Sequence, residues 1–147
     1  MSPALKLKTK KGFSFFIDKE DAQEINKFIW RFDHGYIRTN TTYLHRMLLG
    51  FPKGNIDHID GNPLNNQRSN LRICTQQANL MNKRKTSIKK SSIFKGVSWC
   101  RKRKLWIAHI MKNYKSYYIG GFKKEIEAAN AYNKKAIEFF AQFARLN

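Results

Sequence analysis

Residues 56–66 read IDHIDGNPLNN. One histidine, two aspartates, three asparagines, a glycine and a proline stand there with only three aliphatic residues. The second half is turn chemistry: Asp60, Gly61, Asn62, Pro63 and Asn65 belong to the residue types that set or tolerate turn backbone. The first half is different. His58 is a side chain that can take a proton near neutral pH, and Asp57 beside it is an oxygen donor suited to a hard cation. Taken alone, the stretch leaves both an elaborate turn and a reactive site open, because a short motif is a weak sign.

Working outward, SNLRICT (69–75) reads as a short strand, and Thr75 can N-cap a helix over QQANLMNKRK (76–85). The order is strand, polar loop, strand, helix within about 30 residues, a span typical of a compact supersecondary unit. Upstream, GFSFFID (12–18) reads as a strand. Asp18 can cap a helix over KEDAQEINKFIW, with Ile25, Phe28 and Ile29 on one face. GYIRT (35–39) reads as a further strand, and TYLHRMLLG (42–50) as a helical turn or two ending at Gly50.

Phosphodiester hydrolysis needs a water that loses a proton and a hard cation for the charge that develops on the phosphoryl oxygens. Mg²⁺ keeps several waters and takes one or two protein oxygens, for which an Asp and an Asn carbonyl suffice. Asp57 and His58, adjacent on a strand, point to opposite faces, and a ligand and a base on opposite sides of one phosphate tolerate that. Asn79 lies 22 residues beyond Asp57, one turn into the expected helix.

The ordered set HR (45–46), DHIDGNPLNNQRSNLR (57–72) and TQQAN (75–79) resembles the HNH nuclease family, specifically phage and intron-encoded homing endonucleases with a ββα-metal fold. The resemblance spans residues 40–82. It implies that His58 is the general base and that Asp57 and Asn79 are ligands of Mg²⁺ or Mn²⁺. It also implies that Asn70 braces the loop between the strands, that His45 supports the site or touches phosphate, and that Arg46, Arg68 and Arg72 contact phosphate. For His45 a packed helix histidine, and for the arginines a solvated face, are the plain alternatives.

The formal charge is +19, from 29 Lys and Arg against 10 Asp and Glu, so the expected partner is a polyanion. Residues 1–82 hold 12 basic and 7 acidic side chains, whereas residues 83–147 hold 17 and 3. That asymmetry suggests a module at 1–82, a basic linker at 83–92 and a second module at 93–147, with Lys83, Arg84 and Lys85 offered to DNA from the linker. Cys74 and Cys100 form no CxxC pair, so no zinc is expected and both read as reduced, partly buried thiols. No apolar run reaches the ~18 residues of a membrane span, and no signal-like segment follows the N-terminal lysines. A cytoplasmic location, within a host cell if phage-encoded, is the expectation, with no membrane and no obligate protein partner.

In the C-terminal stretch, KGVSWCRKRKLWIAHIMKNYKSYYIGGF (95–122) has three aromatic and β-branched runs divided by RKRK and KNYK, an antiparallel three-stranded meander. KEIEAANAYNKKAIEFF (124–140) places Ile126, Ala129, Tyr132, Ala136 and Phe140 at helical spacing. Alternation puts Trp106, Ala108 and Ile110 on the helix side and Ile107, His109 and Met111 on the other. The pieces KGVSW, WIAHI, YYIGGF, EAANAY and LN resemble the plant ethylene-response-factor (APETALA-type) DNA-binding domain. The resemblance implies a sheet that reads the major groove, with contacts at Lys95, Ser98, Arg101, Trp106 and Tyr118. The exposed face and turns add Lys102, Arg103 and His109. For Trp106, core packing is favoured by alternation. Ser98 and Met111 stand where the plant domains carry arginine, and His109 where they carry glutamate, so the plant target does not transfer.

The expected whole is an α+β chain, a ββα-metal nuclease module followed by a three-stranded sheet on one helix, acting on double-stranded DNA. Two other classes compete with it: a non-catalytic DNA-binding regulator with a decayed nuclease module, and an RNA-binding basic protein.

Overall fold

A computed structural model describes residues 3–82 and 91–147. The fold is mixed α+β, with small antiparallel sheets and a few helices. Its contacts cluster into two compact units, Met1–Gln76 and Gln77–Asn147. Among the described residues, no helix is long and apolar enough to cross a membrane.

The first unit opens with a hairpin, β1 (Ala4–Lys8) against β2 (Ser14–Asp18). In β1 Leu5 and Leu7 alternate with lysines, so one edge packs on the core while the other faces water. In β2 the inward pair is Phe15 and Ile17, 1% and 0% exposed. The following helix is shorter than the periodicity predicts. One 3₁₀ turn (Lys19–Asp21) leads to α1 (Ala22–Ile25), and the chain then turns away. Ile25 is buried, but Phe28 and Ile29 are exposed. Trp30 takes their place in the core, with its indole Nε1 donating to the Ile25 carbonyl at 2.8 Å. Asp18 makes no capping bond; its carboxylate is engaged with Gln67 and the Arg68 backbone instead.

A second short hairpin joins β3 (Arg31–Asp33) to β4 (Tyr36–Arg38). Helix α2 (Leu44–Leu48) then buries Leu44 and Leu48 and ends before Gly50, whose φ of 69° suits a left-handed terminus. The hairpin of β5 (Asn55–His58) and β6 (Leu71–Cys74) follows, and its long connection contains IDGNPLNN. One core of Phe15, Ile17, Ile25, Trp30, Ile37, Leu44, Leu48 and Leu71 holds these pieces. Each large apolar side chain there contributes about 1.5–3 kcal/mol by leaving water. β2 also clasps the connection from outside the hairpin: Phe16 N–H donates to Leu64 O and Asn66 N–H to Phe16 O, both at 2.8 Å.

The second unit begins within α3 (Gln76–Asn82). It is completed by a meander of β7 (Val97–Cys100), β8 (Leu105–Lys112) and β9 (Lys115–Phe122), followed by α4 (Glu125–Phe140). Ala108 and Ile110 face α4 and are 0% and 2% exposed, and Trp106 packs beside them with Val97, Ala128 and Ala129. Ile126, expected on the inner face of α4, is exposed, and Ala128 occupies that face instead. A bulge at Ile119 shifts the β8–β9 register between Ala108 and His109, turning Ile119 towards the core. Gly96 opens β7 at φ 71°, where a Cβ would lie 2.2 Å from the Tyr132 ring and 2.5 Å from the His109 carbonyl. No other residue type fits there.

Candidate active site

Pairing of β5 with β6 sets Asp57 opposite Arg72 and His58 opposite Leu71. Asp57 and His58 are both buried, 5% and 6% exposed. Arg72 donates through Nε and Nη2 to Asp57 Oδ2, at 2.9 and 2.6 Å. The pair joins a carboxylate to its neighbour across the strands in a poorly hydrated setting, where charge-assisted bonds are strong.

On the other face His58 enters an aromatic cluster. Its ring meets His45 edge-on, with centroids 5.4 Å apart, and lies 6.2 Å from the Tyr36 ring. Tyr43 stacks on His45 at 5.5 Å, and Tyr36 lies 5.5 Å from His45. His58 Nε2 is 3.4 Å from Asn66 Oδ1. Burial pulls the His58 pKa below its ordinary value, against the opposing effects of the Asn66 bond and of the Asp60 and Asp57 charges. Burial, then His58, then Arg46 pull His45 down to about 4. Both imidazoles are therefore neutral near pH 7, the form in which a histidine can accept a proton.

The connection that carries the polar residues is closed by its own side chains. Asn62 N–H and Asn65 Nδ2 donate to the Asp60 carboxylate at 2.7 and 2.9 Å. Asn70 spans the loop: Oδ1 accepts from Asp60 N–H at 3.0 Å, and Nδ2 donates to Asp60 Oδ1 at 3.0 Å and to Asn65 O at 2.7 Å. Burial pushes the Asp60 carboxyl up, but the bonds from Asn62, Asn65 and Asn70, with His58, outweigh it and hold the group below its ordinary value. Asp60 and Asn65 are thus turn builders, and the loop is anchored so that β5 ends in a fixed place.

The three arginines also serve the scaffold. Arg68 Nε lies 3.2 and 3.1 Å from the two Asp21 oxygens, and its Nη1 donates to Leu48 O. Arg46 donates to the carbonyls of Pro52 and Gly54. With Arg72 on Asp57, all three guanidinia have internal acceptors, an arrangement the sequence pattern did not reveal. Asn79 lies on α3 in the second unit, and its role rests on the resemblance. Tyr36, Tyr43 and Asn66 were missed. The only available signal for Asn66 was its place in the Asn-rich stretch, and nothing local marks the two tyrosines.

In the second unit, Ser98 pairs with Ile107 and His109 with Tyr118 on the face turned away from α4. Tyr118 is 61% exposed and Met111 46%. Arg101 and Arg103 are exposed in the β7–β8 turn, and Lys95 is half-buried, with its pKa lowered to about 8 by burial and then by Arg145. Lys83, Arg84 and Lys85, with most of the expected linker, lie outside the described residues.

Residues 43–81 match the family model of HNH endonucleases, a segment running from the start of α2 through the β5–β6 hairpin into α3. The match suggests a nuclease. The chain is 40% identical over 92 residues to an "uncharacterized HNH endonuclease L560" of Acanthamoeba polyphaga mimivirus, covering 63% of this chain and 46% of that protein. It is 48% identical over 56 residues to "Protein 3.8" of Escherichia phage T7, covering 37% of this chain and 46% of the phage protein. The chain thus spans less than half the length of each of these relatives.

Proposed function

We propose that this protein is a divalent-metal-dependent DNA endonuclease of the homing type, phage-encoded and active in the host cell, with its C-terminal sheet unit holding the duplex. The observation that carries the reading is the buried, neutral His58 beside Asp57 at the end of β5, inside the segment that matches HNH endonucleases. His58 takes the proton of the attacking water, and the Asn70-braced loop keeps its ring from drifting. His45, neutral and packed edge-on against His58, holds that ring from the other side. Arg46 forms the adjacent basic rim.

The donor set fits a hard cation. Among the described residues no three His, Cys, Asp or Glu side chains gather into a metal cage. Mg²⁺ or Mn²⁺ needs no such cage, since one carboxylate with neutral oxygens and waters suffices. Asp57 is that carboxylate, with Asn79 carried as the second ligand by the resemblance. The bound cation supplies electrostatic stabilisation of the charge on the phosphoryl and leaving oxygens. With a cation held by Asp57, Arg72, now on Asp57 Oδ2, would be available to a phosphate.

For the second unit, the exposed face of Ser98, His109 and Tyr118 meets the major groove, and Lys95, Arg101 and Arg103, with Lys83, Arg84 and Lys85, neutralise phosphates. Arg68 is carried as a phosphate contact by the resemblance alone, since in the folded chain its guanidinium holds Asp21. The test is cleavage of a phage genomic library with Mg²⁺ or Mn²⁺, against EDTA and against His58→Ala. Loss of a general base should slow cleavage by about 10²–10⁴-fold. A His58→Ala variant that cuts as fast as the parent removes the base assignment, and a parent inert with both metals removes the nuclease.

A further inference from the structure

Asn66 is the most deeply buried polar side chain of the first unit, 1% exposed. Its surroundings fix which way its amide faces. The backbone N–H donates to Phe16 O at 2.8 Å, tying the residue to β2. The side-chain Nδ2 donates to Pro63 O at 3.2 Å. A flipped amide would set its oxygen against that carbonyl, acceptor against acceptor. Oδ1 therefore faces the other way, where His58 Nε2 lies 3.4 Å off. A carbonyl oxygen can only accept, so Nε2 must be the donor. In a neutral imidazole, one nitrogen carries the hydrogen and the other the lone pair.

We propose that Asn66 is a positioning residue that fixes the tautomer of His58, holding the hydrogen on Nε2 and the proton-accepting lone pair on Nδ1. The use of an amide matters. A carboxylate at the same place would orient the ring equally well but would also favour its charged form. The amide orients the ring without setting a full negative charge beside it. Neutral imidazole in water exchanges between its two tautomers. Removing that freedom keeps the whole population of the base in one reactive form, the same service that outer partners give to metal-bound histidines. The position is also inherited from a distance. Phe16 bridges to Asn65 and bonds to Leu64 and Asn66, so β2 sets where the orienting amide stands.

The catalytic meaning rests on the reading of His58 as the base. The tautomer itself belongs to the folded chain with or without DNA, so it can be read independently. The experiment is a long-range ¹H–¹⁵N correlation of the imidazoles of the full chain at pH 7.5, without metal or DNA. The parent should show His58 Nε2 as the protonated nitrogen, with an Hε2 proton protected from exchange. Asn66→Asp keeps an acceptor and should retain the protected Hε2. Asn66→Ala should lose it, and should lower kcat on the order of tenfold with KM unchanged, the scale seen when outer partners of functional histidines are removed.

A parent with the hydrogen on Nδ1 overturns the proposal. So does Asn66→Ala with Hε2 still protected, or with kcat unchanged. If Asn66→Ala does not fold, the parent and Asn66→Asp spectra decide alone. A parent spectrum as expected, together with a His58→Ala variant that cuts normally, supports the tautomer and discards the reading of His58 as the base.

Discussion

Arg72→Gln isolates the ion pair at the centre of the site. The Asp57 and Arg72 side chains are 6% and 15% exposed, and the guanidinium gives two bonds to one carboxylate oxygen. Deleting one partner of a buried pair costs about 3–5 kcal/mol, because a buried charge loses its counter-charge. Glutamine can still donate one neutral bond, which places the expected loss near the low end, about 3 kcal/mol. For a unit of this size such a loss lowers the melting midpoint by roughly 12 °C or more. The assay is hydrogen exchange of the β5 and β6 amides in EDTA and then in Mg²⁺ or Mn²⁺.

If Asp57 is a metal ligand, the variant should recover more from metal than the parent does, since no guanidinium competes for the carboxylate. Metal at 100 times its Kd would return about 2.7 kcal/mol. A loss under about 1 kcal/mol would refute the claim that the pair holds the hairpin. Equal protection of parent and variant by metal would refute the competition at Asp57.

Other outcomes follow from the same structure. Gly96→Ala places a methyl against the Tyr132 ring and the His109 carbonyl at a positive φ, and should destabilise the second unit by at least about 1–3 kcal/mol; a denaturation midpoint equal to the parent's would contradict the packing at the start of β7. His45 has a folded pKa near 4 against an ordinary 6.5, so protonation favours the unfolded chain. The stability from its burial is complete above pH 6.5 and is lost as the pH falls towards 4, and denaturation at pH 7 and pH 5 should show the loss, diminished in His45→Gln. Removing residues 93–147 should weaken DNA binding and site selectivity more than cleavage at saturating DNA, which unchanged cut-site maps would disprove. Binding by the full chain should weaken steeply with salt, by 10³–10⁵ between 50 and 200 mM for about 6–10 phosphate contacts; a flat salt titration would count against polyanion binding.

Elements whose signal is local were legible. The meander of β7–β9 announced itself through aromatic runs divided by RKRK and KNYK, and α4 through its period. The β5–loop–β6–α3 order could be read because turn residues and β-branched residues each mark their own place. What failed depended on tertiary competition. Phe28 and Ile29 fit a helical face on paper, but Trp30 is larger, buries more area and closes a bond to Ile25, so the chain turns out of α1 to seat it. β1 offers only two large apolar side chains, Leu5 and Leu7, which pack on the core with β2 beside them. In the candidate site, His58 and Asp57 were visible as chemistry. The partners of Asp57, Arg68 and Arg46 were not, since a guanidinium reads alike whether it faces phosphate or a buried acceptor 20 or 47 residues away in sequence.

The grip of β2 on the IDGNPLNN connection bears on where the smallest working piece of this molecule begins. Phe16, Asp18 and Asp21 all precede the stretch that matches HNH endonucleases, yet they hold Leu64, Asn66, Gln67 and Arg68 by backbone and carboxylate bonds. A fragment cut at the edges of the match would keep every residue assigned to chemistry and lose the brace behind it. The family match and mechanical integrity therefore have different borders here, and trimming, transplantation or recombination of this module has to respect the second.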